Sequence, residues 1–273
     1  MPEIIVITGC ADGMGKEVAR MLAARGDVIA GFDCDQGCLQ SLRQELKGDH
    51  LFMPLDITDR PGVRSFRDAV LEKYGRVDTV LSNVGIGFFG PFEEVDLERA
   101  LKCLEINVIG AAAIFQAFLP SMRERRRGKL IAMSSLVGQI PFPFESIYTA
   151  SKFAIEGLML SLRYEVEPFG IQVGIIEPAQ VSTTFAAKIH QLPPEGSPYR
   201  ERASRFIARD DVLIKTAPTP VQAAHRIVKA IKAPRVKLRS QVDFMSSVFL
   251  GLNRFLPRAA RDAILINYMD IKA

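Results

Sequence analysis

The chain has 273 residues, 48% of them apolar and 24% charged, with a net charge of +4 and a pI near 8.9. That is enough apolar material for a sizeable core, and it excludes a disordered, collagenous or disulfide-framed chain. The mild positive charge is spread along the sequence and calls for no nucleic-acid partner.

Residues 3–8 are a short β-branched run of the kind buried on both faces of a sheet, so the N-terminus reads as fold rather than as a cleavable leader. Residues 13–25 follow with helical spacing, Met14, Val18, Met21 and Leu22 falling on one face before Gly26. Strands are expected at 28–32, 51–55, 79–81, 129–133 and 171–176. Helices are expected at 39–46, 63–74 and 146–167, and at 97–126 as one long helix bent at Pro120. Strands separated by helices imply βαβ units and a parallel sheet covered on both faces.

Two stretches break the rhythm. Residues 182–220 hold Pro193, Pro194, Pro198, Pro218 and Pro220 and are too long for an ordinary connection, so they are expected to form a substrate lid. The tail, about 240–273, is expected to be helical after a short strand at 236–238, with apolar packing favoured over a membrane surface. No linker marks a second domain, and no run reaches the ~18 to 20 apolar residues of a membrane span. Cys10, Cys34, Cys38 and Cys103 form no CxxC pair and have no histidine cluster nearby, which argues against a metal and for reduced thiols in a cytoplasmic protein. His50, His190 and His225 are isolated, and only His190 lies where a ligand could reach it. The run Arg123–Arg127 with Lys129 reads as a solvated helix end closed by Gly128.

The first strand runs into Thr8-Gly9-Cys10-Ala11-Asp12-Gly13-Met14-Gly15, where a helix begins. Glycines let the backbone turn tightly and approach a pyrophosphate with no Cβ in the way. Amides and the positive end of the helix dipole then bind the phosphates. A glycine triplet by itself is often an ordinary turn; the strand–turn–helix setting is the confirming condition. Asp33, with Cys34 beside it, ends the second strand, where a carboxylate accepts the ribose hydroxyls and repels a 2′-phosphate. With Asp12 adding negative charge in the turn, NAD is favoured over NADP. The plainer alternative for Asp33 is a loop acid or a helix cap.

Ser134 and Ser135 close the fifth strand, and Tyr148 and Lys152 follow four residues apart on one face of a helix. A tyrosine has a pKa near 10 and must fall by roughly 2 to 3 units to act as a base near neutral pH. A nearby ammonium and a positive nicotinamide ring push it in that direction. Ser135 can hold the substrate oxygen while Tyr148 handles the proton. Each piece alone has a plain reading, a strand end or a surface helix pair; the joint order carries the argument.

In that joint order the chain resembles the short-chain dehydrogenase/reductase family over roughly residues 3–185. Around Tyr148, in QIPFPFESIYTASKFAIEGL from Gln139 to Leu158, it is similar to the hydroxysteroid and retinol dehydrogenase branch. The resemblance implies a single-domain α/β fold, a doubly wound Rossmann-type parallel sheet of about seven strands ordered 3-2-1-4-5-6-7, with helices on both faces. It implies an adenine contact at Asp56, Ile57 and Thr58, and a cofactor segment at Asn83, Val84 and Gly85. It further implies a carboxamide site after Pro178 at Val181 and Thr183, and Asn107 as the anchor of a water-linked proton relay to Lys152. Ala179 stands where the family usually has glycine, and Val84 and Cys10 where alanine is usual. It also implies a homodimer or homotetramer paired through the two long helices.

The expected activity is hydride transfer between NAD(H) and an apolar secondary alcohol or its ketone, steroid-, retinoid- or lipid-like. Val137, Phe142, Phe144, Phe185 and Ile189 can line the pocket with Ser135, or can equally be plain core. An NADP-dependent 3-oxoacyl thioester reductase and a non-catalytic NAD-binding sensor are the rival readings.

Overall fold

A computed structural model describes residues 2–182 and 192–272. Its frame is a seven-stranded parallel sheet in the order β3-β2-β1-β4-β5-β6-β7, the order implied by the resemblance. The strands are β1 (Ile4–Thr8), β2 (Val28–Asp33), β3 (Leu51–Pro54), β4 (Thr79–Ser82), β5 (Gly128–Met133), β6 (Ile171–Glu177) and β7 (Arg239–Gln241). Parallel pairing requires crossovers, and the helices that supply them cover both faces.

Strand β1 shows why its sequence is apolar throughout. Ile4 and Val6 pack on one side with helices α3 (Arg60–Tyr74), α5 (Ala111–Glu124) and α6 (Ser146–Val166). Ile5 and Ile7 pack on the other with α1 (Gly13–Ala24), α2 (Gln36–Glu45) and α8 (Pro220–Lys232). Burying such side chains is worth about 1.5–3 kcal/mol each, which makes these two cores the main stabilising force. On the first face the rings of Phe32, Phe66 and Phe118 stack edge-on, 5.1 and 6.2 Å apart. Helix ends follow local chemistry: Asp59 caps α3 at its start and Gly75, at φ 71°, ends it.

The helix expected over 97–126 is a composite. It runs as α4 (Leu97–Leu104), a π-helical segment (Glu105–Gly110) and α5, with Pro120 inside α5. The π segment widens the helix where Asn107 turns inward to bind the backbone of Ile86. The full run Leu97–Glu124, of mean hydropathy 1.6 in its most apolar stretch, is long and apolar enough to cross a membrane by length and composition, contrary to the sequence expectation. Here it lies along the sheet, and Ala111, Ile114, Phe115, Phe118 and Met122 are core.

Three other expectations shift. The seventh strand begins at Arg239 rather than Val236, because Val236 N–H is taken by the Gln172 side chain and the ladder to β6 starts beyond it. The described part of the expected lid is mostly helix α7 (Arg200–Thr216), with Ala203, Phe206 and Asp210 on its inner face and the prolines flanking it. The arginine run is also not merely solvated. Arg125 binds Asp78 at 2.9 Å and the Val77 carbonyl, Arg126 binds the Pro168 carbonyl, and Gly128 opens β5 instead of closing the helix.

The tail forms α9 (Phe244–Phe255) and α10 (Arg258–Tyr268). Phe249, Leu265, Tyr268, Met269 and Ile271 pack with Phe89 and Phe206 into a third apolar cluster. It sits over the C-terminal ends of β5 and β6, where ligands bind in open parallel sheets.

Candidate active site

The turn after β1 is shaped for close backbone approach. Gly9 and Gly13 have φ of 63° and 54°, in the left-handed region. A Cβ on Gly15 would lie 2.0 Å from the Gly9 carbonyl and 2.6 Å from Asn83 Nδ2. Asn83 explains this tightness: its amide donates to the Thr8 and Gly9 carbonyls at 3.1 and 3.0 Å, and Thr8 Oγ1 accepts from the backbone of Asn83 and Val84 at 2.9 Å each. Asp12 is the N-cap of α1, accepting from Gly13 N–H at 2.7 Å. Cys10 is buried, its sulfur against Gly31 of β2, and burial pushes its thiol up, so it serves packing rather than chemistry.

Asp33 closes β2. Its two oxygens accept from Ala11 N–H at 3.0 Å and Asp35 N–H at 3.1 Å, which fixes the carboxylate beside the glycine turn. Asp12, Asp33 and Asp35 all lie close enough to Cys38 to raise its thiol, so the rim next to Cys34 is acidic. Asp56 is held by Thr58 N–H and Oγ1, both at 2.8 Å, and these bonds lower its pKa. Ile57 packs against Gly110 at the base of the π segment. The glycine cradle, the helix N-terminus and the anchored Asp33 fit a dinucleotide, with the pyrophosphate over α1 and a ribose at Asp33.

The four residues expected to carry the chemistry converge at the ends of β4 and β5. Ser135 Oγ donates to the Pro178 carbonyl and accepts from Val137 N–H, both at 3.3 Å, and lies near enough to the Tyr148 phenol to lower its pKa. Lys152 Nζ donates to the Met133 carbonyl at 2.9 Å and stands 5.5 Å from the centre of the Tyr148 ring. Asn107 is fully committed: Oδ1 accepts from Ile86 N–H at 2.8 Å, and Nδ2 donates to the Ile86 carbonyl and to Ser151 Oγ at 2.9 Å each. Lys152 Nζ and Asn107 Oδ1 both face Gly85, where a Cβ would meet them at 3.3 and 3.5 Å.

The electrostatics differ from the expectation in one respect. Burial, followed by the Glu145 carboxyl, pushes the Tyr148 phenol up rather than down, although the Ser135 hydrogen bond works the other way. Burial also lowers Lys152, to about 8. Among the chain's own groups, desolvation is the largest influence on the phenol.

On the substrate side, Val137 and Phe142 are buried, and Phe144 packs in the same cluster as Tyr148 and Ala179. Phe185 and Ile189, with Thr183 and His190, lie outside the described residues. Phe142 also lines a small apolar cleft of about 30 Å³ with Ile140, Phe249, Leu252 and Leu265. A larger open hollow, about 590 Å³, lies beside Pro2, Asp27 and Lys232 at the other ends of the strands, away from this chemistry.

Pro178, Ala179 and Val181 leave β6 as expected, and Val181 is buried. What holds this loop is long-range and carries almost no local signal in the sequence. Ala179 N–H donates to Asp243 Oδ2 at 3.2 Å, Gln180 Nε2 donates to Asp210 at 3.1 Å, and Ser182 N–H donates to the Pro218 carbonyl at 2.9 Å. Asp243 was detectable as a helix cap, since its other oxygen takes Ser246 N–H. Phe89, Phe206 and Glu145 carry no local signal and emerge only from tertiary packing.

The model of the short chain dehydrogenase family matches residues 3–193. The chain is similar to human 17-beta-hydroxysteroid dehydrogenase type 1, with 32% identity covering 93% of this chain and 79% of that protein. It is similar to 3-ketodihydrosphingosine reductase of Bacteroides thetaiotaomicron, at 32% identity with 77% of each chain covered. A short-chain dehydrogenase structure from Streptomyces avermitilis superposes with a TM-score of 0.82 at 29% identity, covering 96% of this chain and 94% of that one. More distant structures share the fold with either cofactor. One from Burkholderia phymatum holds NAD (TM-score 0.81, 22% identity, 96% and 95% covered), and an alcohol dehydrogenase from Thermococcus sibiricus holds 5-hydroxy-NADP (0.72, 24%, 88% and 96%). The chain belongs to the short-chain dehydrogenase family, oxidoreductases that act on CH–OH groups with NAD or NADP.

Proposed function

We propose that the protein transfers a hydride between NAD(H) and an apolar secondary alcohol or its ketone, with Tyr148 as the proton-transfer residue. The observation that carries this is Lys152, tied to the Met133 carbonyl and 5.5 Å from the centre of the Tyr148 ring, with Tyr148 packed in one cluster with Phe89, Phe144 and Phe206. The dinucleotide, bound over Gly9, Gly13 and Gly15 and reaching Asn83–Gly85 and Val181, supplies the hydride acceptor or donor. Ser135 holds the substrate oxygen. Tyr148 gives the proton to a ketone oxygen in reduction and takes it from the alcohol in oxidation. Lys152 keeps a positive charge beside the phenol, and Asn107 braces the helix and the Gly85–Ile86 turn around that charge. The acidic rim of Asp12, Asp33 and Asp35 supports NAD, since a 2′-phosphate there would meet like charge.

Apolar substrates are supported by the aromatic cluster and by the relatives, one named for a hydroxysteroid and one for a ketosphingoid. We also infer pairing of two copies through α4–α5 and α6, where Leu97, Leu101, Phe153 and Tyr164 are exposed apolar side chains. Sedimentation of the purified protein should give a dimer or tetramer; a monomer at micromolar concentration would remove that part.

Tyr148→Phe should lose at least about 100-fold in kcat while NAD affinity stays within roughly threefold. Wild-type turnover in that variant would overturn the assignment. Lys152 gives a second check through stability. Its pKa is lowered in the fold to about 8 from 10.5, so between those values the unfolded chain binds more protons and stability rises with pH. Relative to Lys152→Met, the wild type should gain stability in urea unfolding as pH climbs through that window. A pH-independent difference would contradict a buried ammonium.

A further inference from the structure

Glu156 follows Lys152 by one turn of α6, on the face that already carries Tyr148 and Lys152. Both Lys152 and Glu156 are buried. The Glu156 Cγ, the Ser134 hydroxyl and the Lys152 carbonyl close on one point, lying 3.1, 2.5 and 3.3 Å from where a Cβ on Gly138 would stand. Gly138 thus lets this part of α6 pack against the turn that carries Ser135.

The carboxylate is held from outside the helix. Arg239, which opens β7, donates to Glu156 Oε2 through Nε at 3.1 Å and Nη2 at 3.0 Å. The same Nε stands 3.2 Å from Oε1 of Glu177, the last residue of β6. Gln139 donates to that oxygen as well, and Gln241 donates to Glu177 Oε2 at 2.7 Å. Glu156 Oε1, by contrast, is buried with no hydrogen-bond partner among the described residues.

Charge decides what the network can do. Two carboxylates against one permanently charged guanidinium leave one negative charge in excess when both acids are ionised. Burial, and then the Glu156 charge, push Glu177 up, so the excess grows towards alkaline pH. Lys152, lowered by burial to about 8, loses its proton in the same direction. The titratable groups that face Lys152 are Tyr148 on its own helix, Cys103 of α4 and Glu156. Burial raises the Tyr148 phenol, and raises the Cys103 thiol to about 11, so both are neutral where Lys152 titrates. Glu156, paired with Arg239, is the one of the three that carries charge there, and a negative charge favours the ammonium.

We propose that Glu156 is a positioning residue for the reaction: its carboxylate, held in place by Arg239, keeps Lys152 charged beside the Tyr148 ring. This rests on the hydride-transfer reading of the same site. The plainer role, a stitch between α6 and the edge of the sheet, needs the hydrogen bonds of the network but not the Glu156 charge.

The test separates the two with the full-length protein. Glu156→Gln removes the charge and keeps an acceptor for Arg239, which retains Glu177 as its counter-ion, so no unpaired charge is left to unfold the variant. Arg239→Lys keeps every charge and alters the geometry of the stitch. The titration midpoint of Lys152 is read by NMR of protein labelled with 13C-lysine, its signal assigned by loss in Lys152→Met, beside the pH profile of kcat. In Glu156→Gln the midpoint should fall by roughly one pH unit, and the alkaline limb of kcat should move down with it. In Arg239→Lys both should stay within about 0.3 of wild type, the change being one of geometry and not of charge. A midpoint unmoved in Glu156→Gln, or one that falls equally in Arg239→Lys, overturns the proposal. A midpoint that falls while the limb stays removes Glu156 from the reaction and overturns it too. A midpoint that falls as expected, in a protein that turns over no alcohol or ketone, keeps the counter-charge on Lys152 and overturns the hydride-transfer reading instead.

Discussion

The bond from Lys152 Nζ to the Met133 carbonyl joins helix α6 to the end of strand β5, and the geometry of the candidate site depends on it. It places an amine under the Tyr148 ring, in a region where burial lowers its pKa to about 8. Around it the polar groups are matched closely. Asn107 spends its amide on the Ile86 backbone and Ser151, and Ser135 spends its hydroxyl on the Pro178 carbonyl and the Val137 amide. The π-helical turn at Glu105–Gly110 belongs to the same arrangement, since it widens the helix at the residue that must turn inward. A parallel sheet supplies the frame because every strand ends on the same side, which lets residues far apart in sequence meet there.

Much of this was legible from local pattern. The β1 run, the glycine turn and Asp33 announce themselves because each needs a particular residue type at a particular backbone position. The sheet order came only from the resemblance, since pairing is a long-range property that no window of sequence holds. The β7 boundary was misread because Val236 looks like a strand residue by propensity, while its N–H is committed to Gln172. Helix α7 was hidden by its flanking prolines, which drew attention to the ends of the segment rather than to the spacing of Ala203, Phe206 and Asp210 inside it.

The Tyr148 environment could not be read from sequence at all. Spacing puts an ammonium one turn away, which suggests a lowered phenol. Packing buries the phenol and adds Glu145, and both raise its pKa. The third apolar cluster, drawn from Phe89, Phe206 and the tail helices, likewise exists only after folding.

The most direct test of the central claim is the near-ultraviolet absorbance of reduced nicotinamide, followed with the purified protein. NAD and NADP are offered separately against apolar secondary alcohols, and NADH and NADPH against the matching ketones. The account predicts turnover on apolar substrates with NAD(H), faster than with NADP(H), because Asp33 and its acidic neighbours accept a ribose hydroxyl and repel a phosphate. Preference for NADP(H), or tight NAD binding with no turnover on any apolar alcohol or ketone, would contradict it.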